Sequence, residues 1–118
     1  MGVKVCADKD KIGQVLINLI SNAVKYSPGN GLVTIDCIIG EGRIKISVTD
    51  QGIGISQEDQ KKLFDRFYRV QNVKVKTVSG FGIGLYLVSE ILRSHDSRVM
   101  VESEEGKGSS FSFSLSLE

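Results

Sequence analysis

Four stretches of this sequence hold residues whose types and spacing could do chemistry. In the first, Gln14-Val-Leu-Ile-Asn18-Leu-Ile-Ser-Asn22-Ala-Val-Lys25-Tyr26-Ser-Pro28, two asparagines stand one helical turn apart and Lys25 extends their stripe. Asparagine is a poor helix-interior residue because its amide competes for the backbone. Amide oxygens are weak, hard ligands that suit a Mg2+ otherwise held by phosphates and water, and a neighbouring lysine can offset phosphate charge. The competing reading is a solvated helix face, the ordinary fate of a polar stripe.

The second stretch is Asp50-Gln51-Gly52-Ile53-Gly54-Ile55. By period two, Asp50 is in phase with Ile44, Ile46 and Val48, so its carboxylate points toward an apolar layer at the end of a strand. A buried carboxylate is costly unless hydrogen-bond donors meet it. Gly52 and Gly54 would let a flat ligand approach the backbone closely. A strand-ending turn with a solvated aspartate is the plainer alternative.

The third is Gly80-Phe81-Gly82-Ile83-Gly84-Leu85, directly before a helical pattern. Exposed N–H groups at a helix start suit phosphates, whereas a flexible hinge needs no ligand. Leu85 stands where the last glycine of a dinucleotide fingerprint would, and no Gly-Lys-Ser/Thr marks a P-loop. The fourth, Phe64-Asp65-Arg66-Phe67-Tyr68-Arg69, has two phenylalanines at core spacing and two arginines that are either surface charges or phosphate contacts.

The elements that must position these residues follow from periodicity. A first helix, capped by Asp8 or Asp10, carries Ile12, Val15, Leu16, Leu19, Ile20 and Ala23 on one face and ends at Ser27–Gly31. Val33, Ile35, Cys37 and Ile39 alternate onto one face of a strand. Gly40-Glu41-Gly42 turns it into a second strand whose inner face is Ile44, Ile46 and Val48. Ser56 caps a short helix through Leu63, and Val70–Phe81 reads as a mobile loop. Gly84–His95 is helical, with Leu87, Val88, Ile91 and Leu92 inward. Val99 and Val101, then Phe111, Phe113, Leu115 and Leu117, mark two more strands, and Gly2–Ala7 forms a short edge strand. Clean alternation gives the sheet one buried and one polar face, so the helices lie on one side. The fold class is α+β, a two-layer α/β sandwich.

The 118 residues form one domain, 1–118, with the apolar and charged shares (41% and 25%) of a globular chain. A net charge of +1 gives no bias toward nucleic acid or an anionic membrane. No apolar run approaches the ~20 residues that span a bilayer, and no signal peptide is present. Cys6 and Cys37 lack metal-ligand spacing and read as buried free thiols of a reducing compartment. The abrupt start in a strand suggests a fragment of a longer chain.

Taken in order, the four stretches resemble the ATP-binding catalytic domain of sensor histidine kinases, in the superfamily shared with gyrase-type topoisomerases, ninety-kilodalton heat-shock chaperones and MutL-type repair proteins. Asn18 to Tyr26 looks like the N box, Asp50 to Ile55 the first glycine box, Phe64 to Arg69 the F box, and Gly80 to Leu85 the second glycine box. The resemblance covers nearly the whole chain. It implies a Bergerat-type ATP-binding fold, a mixed sheet of about five strands with three helices on one face.

The same resemblance implies roles. Asp50 would accept a hydrogen bond from the adenine amino group, Ile55 would line the adenine pocket, and Tyr26 would pack on the base. Asn22 would bind Mg2+ with Asn18 beside it, and Lys25 and Arg69 would meet phosphates. Gly52 and Gly54 belong to the adenine box, while Gly80, Gly82, Gly84 and Leu85 would cradle phosphates. Val70–Phe81 would be the ATP lid. Hydrolysing relatives carry glutamate where this chain has Asn18, which cannot act as a base.

The implied activity is therefore transfer of the γ-phosphoryl group from Mg-ATP to a histidine on a separate dimerisation domain of the same protein, and onward to a response regulator. A cytoplasmic domain is implied, of a parent that can be membrane-anchored, with no nucleic acid or membrane contact of its own. The one histidine here, His95, reads as structural. Phe81 and His95-Asp96-Ser97 depart from the small residue and the His-Gly-Gly usual in the family. They motivate an alternative, a degenerate interaction module. An autonomous ATPase or anti-sigma-factor-type kinase is a third reading, opposed by Asn18.

Overall fold

In a computed structural model of the chain, which describes residues 7–25, 31–64 and 84–117, the first helix, α1, spans Lys9–Lys25. Asp8 starts it: its Oδ1 accepts the Lys11 N–H at 3.1 Å, satisfying a donor that the first turn leaves free. Ile12, Val15, Leu19 and Ala23, at spacings of three and four, are the buried face.

Strands β1 (Val33–Gly40) and β2 (Arg43–Asp50) follow. The turn between them, Glu41-Gly42, has positive φ at both residues, +53° and +75°. This is the turn whose twist matches that of paired strands. Helix α2 is short, Gln57–Gln60, with Ser56 Oγ accepting the Asp59 N–H as its N-cap. Helix α3 spans Gly84–Ser94, and strands β3 (Met100–Glu104) and β4 (Gly108–Ser116) close the chain.

The strand order is β1-β2-β4-β3, antiparallel at every pairing among the described residues. The helical crossover does bring β3 back in the same direction as β2, but β4 lies between them. The expected mixed sheet of about five strands is thus four-stranded and antiparallel where described. The strand expected at Gly2–Ala7 lies, but for Ala7, outside the described residues.

Register explains the two layers. Val48 pairs with Phe111, Ile46 with Phe113 and Ile44 with Leu115, all on the helix-facing side. They join α1 and α3 (Val88, Ile91, Leu92) in one core. Ser110, Ser112, Ser114 and Ser116 fall on the open side, opposite Thr49, Ser47, Lys45 and Arg43. Phe64 joins the core edge-on to Phe111, with ring centroids 6.5 Å apart.

β1 departs from expectation. Ile35 and Ile39 share the helix-facing side with Val48 and Ile44 yet are 50% and 54% exposed. Cys37 between them is exposed, not buried. Among the described residues β1 is the strand at the end of the sheet, and the buried cluster is centred on β2 and β4. Alternation reports which side a residue faces, not whether a second layer covers it there.

Candidate functional site

The Asp50 loop is the best-defined part of the candidate site. Asp50 ends β2 on the helix-facing side and is only 5% exposed. The Gly52 N–H donates to its Oδ1 at 2.8 Å. Burial pushes the carboxyl above its ordinary value of 3.8, and backbone hydrogen bonds from Gly52 and Ser109 act in the opposite direction. Among the described residues no cation pairs with it.

The rest of the loop is held by residues distant in sequence. The Ile55 N–H donates to Ser103 Oγ at 2.8 Å, and Gln60 Nε2 donates to the Ile55 carbonyl at 2.8 Å and to that of Ser103 at 3.1 Å. The Gly106 N–H donates to the Ile53 carbonyl at 2.7 Å. Ser103 Oγ also donates to the Gly108 carbonyl and shares a hydrogen bond with Ser109 Oγ. The β3–β4 hairpin thus forms the mould in which Gly52–Ile55 sets. Ser103, Gln60, Gly106 and Gly108 went unread in the sequence because their partners lie far away along the chain.

Two glycines are required by that mould. Gly54 has φ +70°, and a Cβ there would collide with the Glu104 carbonyl oxygen. Gly108 has φ +97°, and its Cβ would collide with the carbonyl of Asp50. Gly54 therefore answers a backbone neighbour, a reason distinct from the ligand approach its motif suggested. Ile55 is buried in the core cluster.

On α1, Asn18 and Asn22 are half-buried beside the buried Leu19 and Ala23, and Lys25 ends the helix exposed. Gly84 opens α3, and Leu85 packs against the core. One core joins Leu19 and Ala23 of α1, Val48 and Ile55 flanking Asp50, and Leu85 and Val88 of α3. Tyr26, Arg69, Gly80 and Gly82 lie outside the described residues, as do Phe67 and the expected lid Val70–Phe81.

These residues fit an adenine nucleotide with Mg2+. A buried carboxylate facing no cation suits a neutral N–H donor such as an exocyclic amine. Among the described residues no group of three His, Cys, Asp or Glu could hold a metal alone. Mg2+ needs no such group, because it commonly takes one or two protein ligands and completes its shell with phosphate and water.

His95 has a different task. Its Nε2 accepts the Asp8 N–H at 3.0 Å and its Nδ1 donates to the Ile91 carbonyl at 2.8 Å. Both ring nitrogens are thus used in joining the end of α3 to the start of α1.

Residues 7–118 match the family described as histidine kinase-, DNA gyrase B-, and HSP90-like ATPase. The sensor histidine kinase WalK of Bacillus subtilis is 46% identical over 110 residues, which cover 92% of this chain and 18% of WalK. The sensor-like histidine kinase SenX3 of Mycolicibacterium smegmatis is 37% identical over 114 residues, 97% of this chain and 30% of SenX3. The chain therefore spans less than a third of the length of either relative. The solved mycobacterial sensor histidine kinase MprB superposes with a TM-score of 0.85 at 27% identity, covering 97% of this chain and 77% of that one. Full-length ShkA in complex with AMPPNP superposes at 0.82 with 29% identity, covering 99% of this chain and 24% of that one.

Proposed function

Because the chain belongs to the histidine kinase-, DNA gyrase B-, and HSP90-like ATPase family, we propose that it is the ATP-binding catalytic domain, residues 1–118, of a longer sensor histidine kinase. It binds Mg-ATP and presents the γ-phosphoryl group to a histidine on a separate dimerisation and phosphotransfer domain of the same protein. From there the group passes to a response regulator. The observation that carries this reading is the buried carboxylate of Asp50, paired with no cation among the described residues, in a loop moulded by the β3–β4 hairpin.

In this reading Asp50 would accept the adenine amino N–H, and Asn22 would hold Mg2+ through its amide oxygen. When bound, Mg2+ neutralises phosphate charge. Lys25 offsets the remaining charge, and Gly84 and Leu85 bring the start of α3 to the phosphates. Tyr26 packs on the base, and Arg69, Gly80 and Gly82 complete the phosphate contacts.

Asn18 has no proton-accepting group, so the position where hydrolysing relatives carry glutamate offers no base for water. The nucleophile is then one that attacks without prior deprotonation, as a neutral imidazole nitrogen does. His95 is not that nucleophile, since both of its ring nitrogens are engaged. The acceptor therefore lies on another domain, which fits a chain spanning 18% of WalK and 30% of SenX3. No helix among the described residues is long and apolar enough to cross a membrane. A cytoplasmic placement, in a parent free to be membrane-anchored, belongs to the same proposal.

Calorimetric titration with AMPPNP and Mg2+ tests it. Saturable binding is expected, weakened roughly tenfold or more by Asp50→Asn, as for a lost hydrogen bond to a charged acceptor. With γ-labelled ATP, label should appear on a supplied histidine-bearing dimerisation domain and not on this chain. Absence of nucleotide binding would overturn the reading.

A further inference from the structure

The open face of the sheet, opposite the helix layer, holds a recess of about 500 Å³ that the nucleotide reading leaves unused. Its lining includes Arg43 and Lys45 from β2, Arg98 before β3, Asp96 after α3, and Ser112 from the middle of β4. Arg43 and Asp50 stand at opposite ends of the eight-residue β2 and on opposite faces, about 23 Å apart along the strand at ~3.3 Å per residue. The recess is therefore separate from the nucleotide site.

Two independent features mark it. The first is charge. Among the described residues Arg43, Lys45 and Arg98 make no ion pair, and neither does Asp96, so the described lining sets three cations against one carboxylate and leaves two positive charges. Arg43 is also held in place, its Nη1 donating to Ser116 Oγ at 3.2 Å and its Nη2 to the Ser114 carbonyl at 3.3 Å. A guanidinium has five N–H donors, so the edge not held by β4 remains available to a ligand. The second is a hydroxyl. Ser112 is only 5% exposed, yet among the described residues its Oγ makes no hydrogen bond. Buried hydroxyls are normally satisfied, and this one lines the recess.

We propose that this recess binds a phosphate dianion, free or ester-borne, through Lys45, Arg98, the free edge of Arg43 and the Ser112 hydroxyl. Two unneutralised positive charges match a dianion better than a single carboxylate, and the Ser112 O–H supplies a donor to a phosphate oxygen. Asp96 opposes binding and sets its strength.

The test is an amide-shift titration by NMR with inorganic phosphate, with glycerol 3-phosphate, and with acetate and chloride at matched ionic strength. Both phosphates are expected to move the Lys45, Arg98 and Ser112 amides saturably, and acetate and chloride to move them little. A response to glycerol 3-phosphate that exceeds that to inorganic phosphate assigns the site to an ester; the reverse assigns it to the free ion. Lys45→Gln and Ser112→Ala should each weaken the apparent Kd several-fold to roughly tenfold, and Asp96→Asn should tighten it. Lys45 is exposed, so its variant keeps the test open if Ser112→Ala disturbs the sheet. Because the readout is local, Asp50→Asn should leave it unchanged, and the proposal survives failure of the nucleotide reading. Equal shifts with chloride, no shifts with either phosphate, or variants that bind as the parent does would overturn it.

Discussion

The Cα of Gly54 lies so close to the carbonyl of Glu104 that a methyl group on it would overlap the oxygen. Its φ of +70° adds a second reason for glycine. Gly54→Ala combines overpacking with left-handed strain and should cost about 2–5 kcal/mol, read as a lower midpoint in urea unfolding. Gly13 is the internal control. It lies inside α1 with nothing within 4 Å of a Cβ, so Gly13→Ala should stabilise by about 0.5–1 kcal/mol. Equal midpoints for the two variants would mean that the loop does not rest on the hairpin as described.

A second contact joins distant parts of the chain. The Asp8 N–H donates to His95 Nε2 across 87 residues of sequence. His95→Ala removes this bond and the one from Nδ1 to the Ile91 carbonyl. Water can replace both at this half-exposed position, so the expected loss is about 1 kcal/mol, or ~4 °C in Tm for a domain of this size. Hydrogen exchange sharpens the test: the first-turn amides of α1 should lose protection more than those of β2. A uniform change would argue against a local clamp.

These two contacts mark how far the sequence could be read. Elements with a strong period were legible: the buried face of α1, the Phe111/Phe113/Leu115 face of β4, and the caps at Asp8 and Ser56 all follow from local rules. The candidate carboxylate was legible too, because Asp50 continues the in-phase run of Ile44, Ile46 and Val48. Non-local facts were not. Nothing around Ser103 says that its hydroxyl will hold Ile55, and nothing in Ile35, Cys37 and Ile39 says that their side of β1 will go uncovered. Such facts depend on which elements meet, and period carries no record of that.

The end of α3 yields a third prediction. The Ser97 N–H donates to the Leu92 carbonyl at 2.9 Å and the Asp96 N–H to that of Arg93 at 3.2 Å, the bond pair of a Schellman cap. Asp96 takes the left-handed position with φ +55°, where an aspartate is tolerated and a glycine is unstrained. Asp96→Gly should therefore raise stability by about 1 kcal/mol, seen as a Tm higher by several degrees. An unchanged or lower Tm would show that the aspartate side chain stabilises the turn in some other way.

Under the proposed function, Asp50 links stability and nucleotide binding in opposite directions. Burial raises its pKa in the folded chain, so the folded state holds its proton more tightly than the unfolded state does. The resulting contribution to stability is fully present below the ordinary value of 3.8 and is lost as pH rises through the raised folded value. Urea unfolding of the parent and of Asp50→Asn across that range should show the parent losing ground to the variant as pH rises. Nucleotide binding needs the ionised carboxylate as acceptor, so affinity should fall as pH drops through the same range, and the pH dependence should vanish in Asp50→Asn. Above the raised value the buried carboxylate is ionised at a cost to stability, and the adenine amino group is the partner that would offset that cost. Parallel pH profiles for stability and affinity, or an affinity profile unchanged by Asp50→Asn, would show that this carboxylate does not serve the ligand.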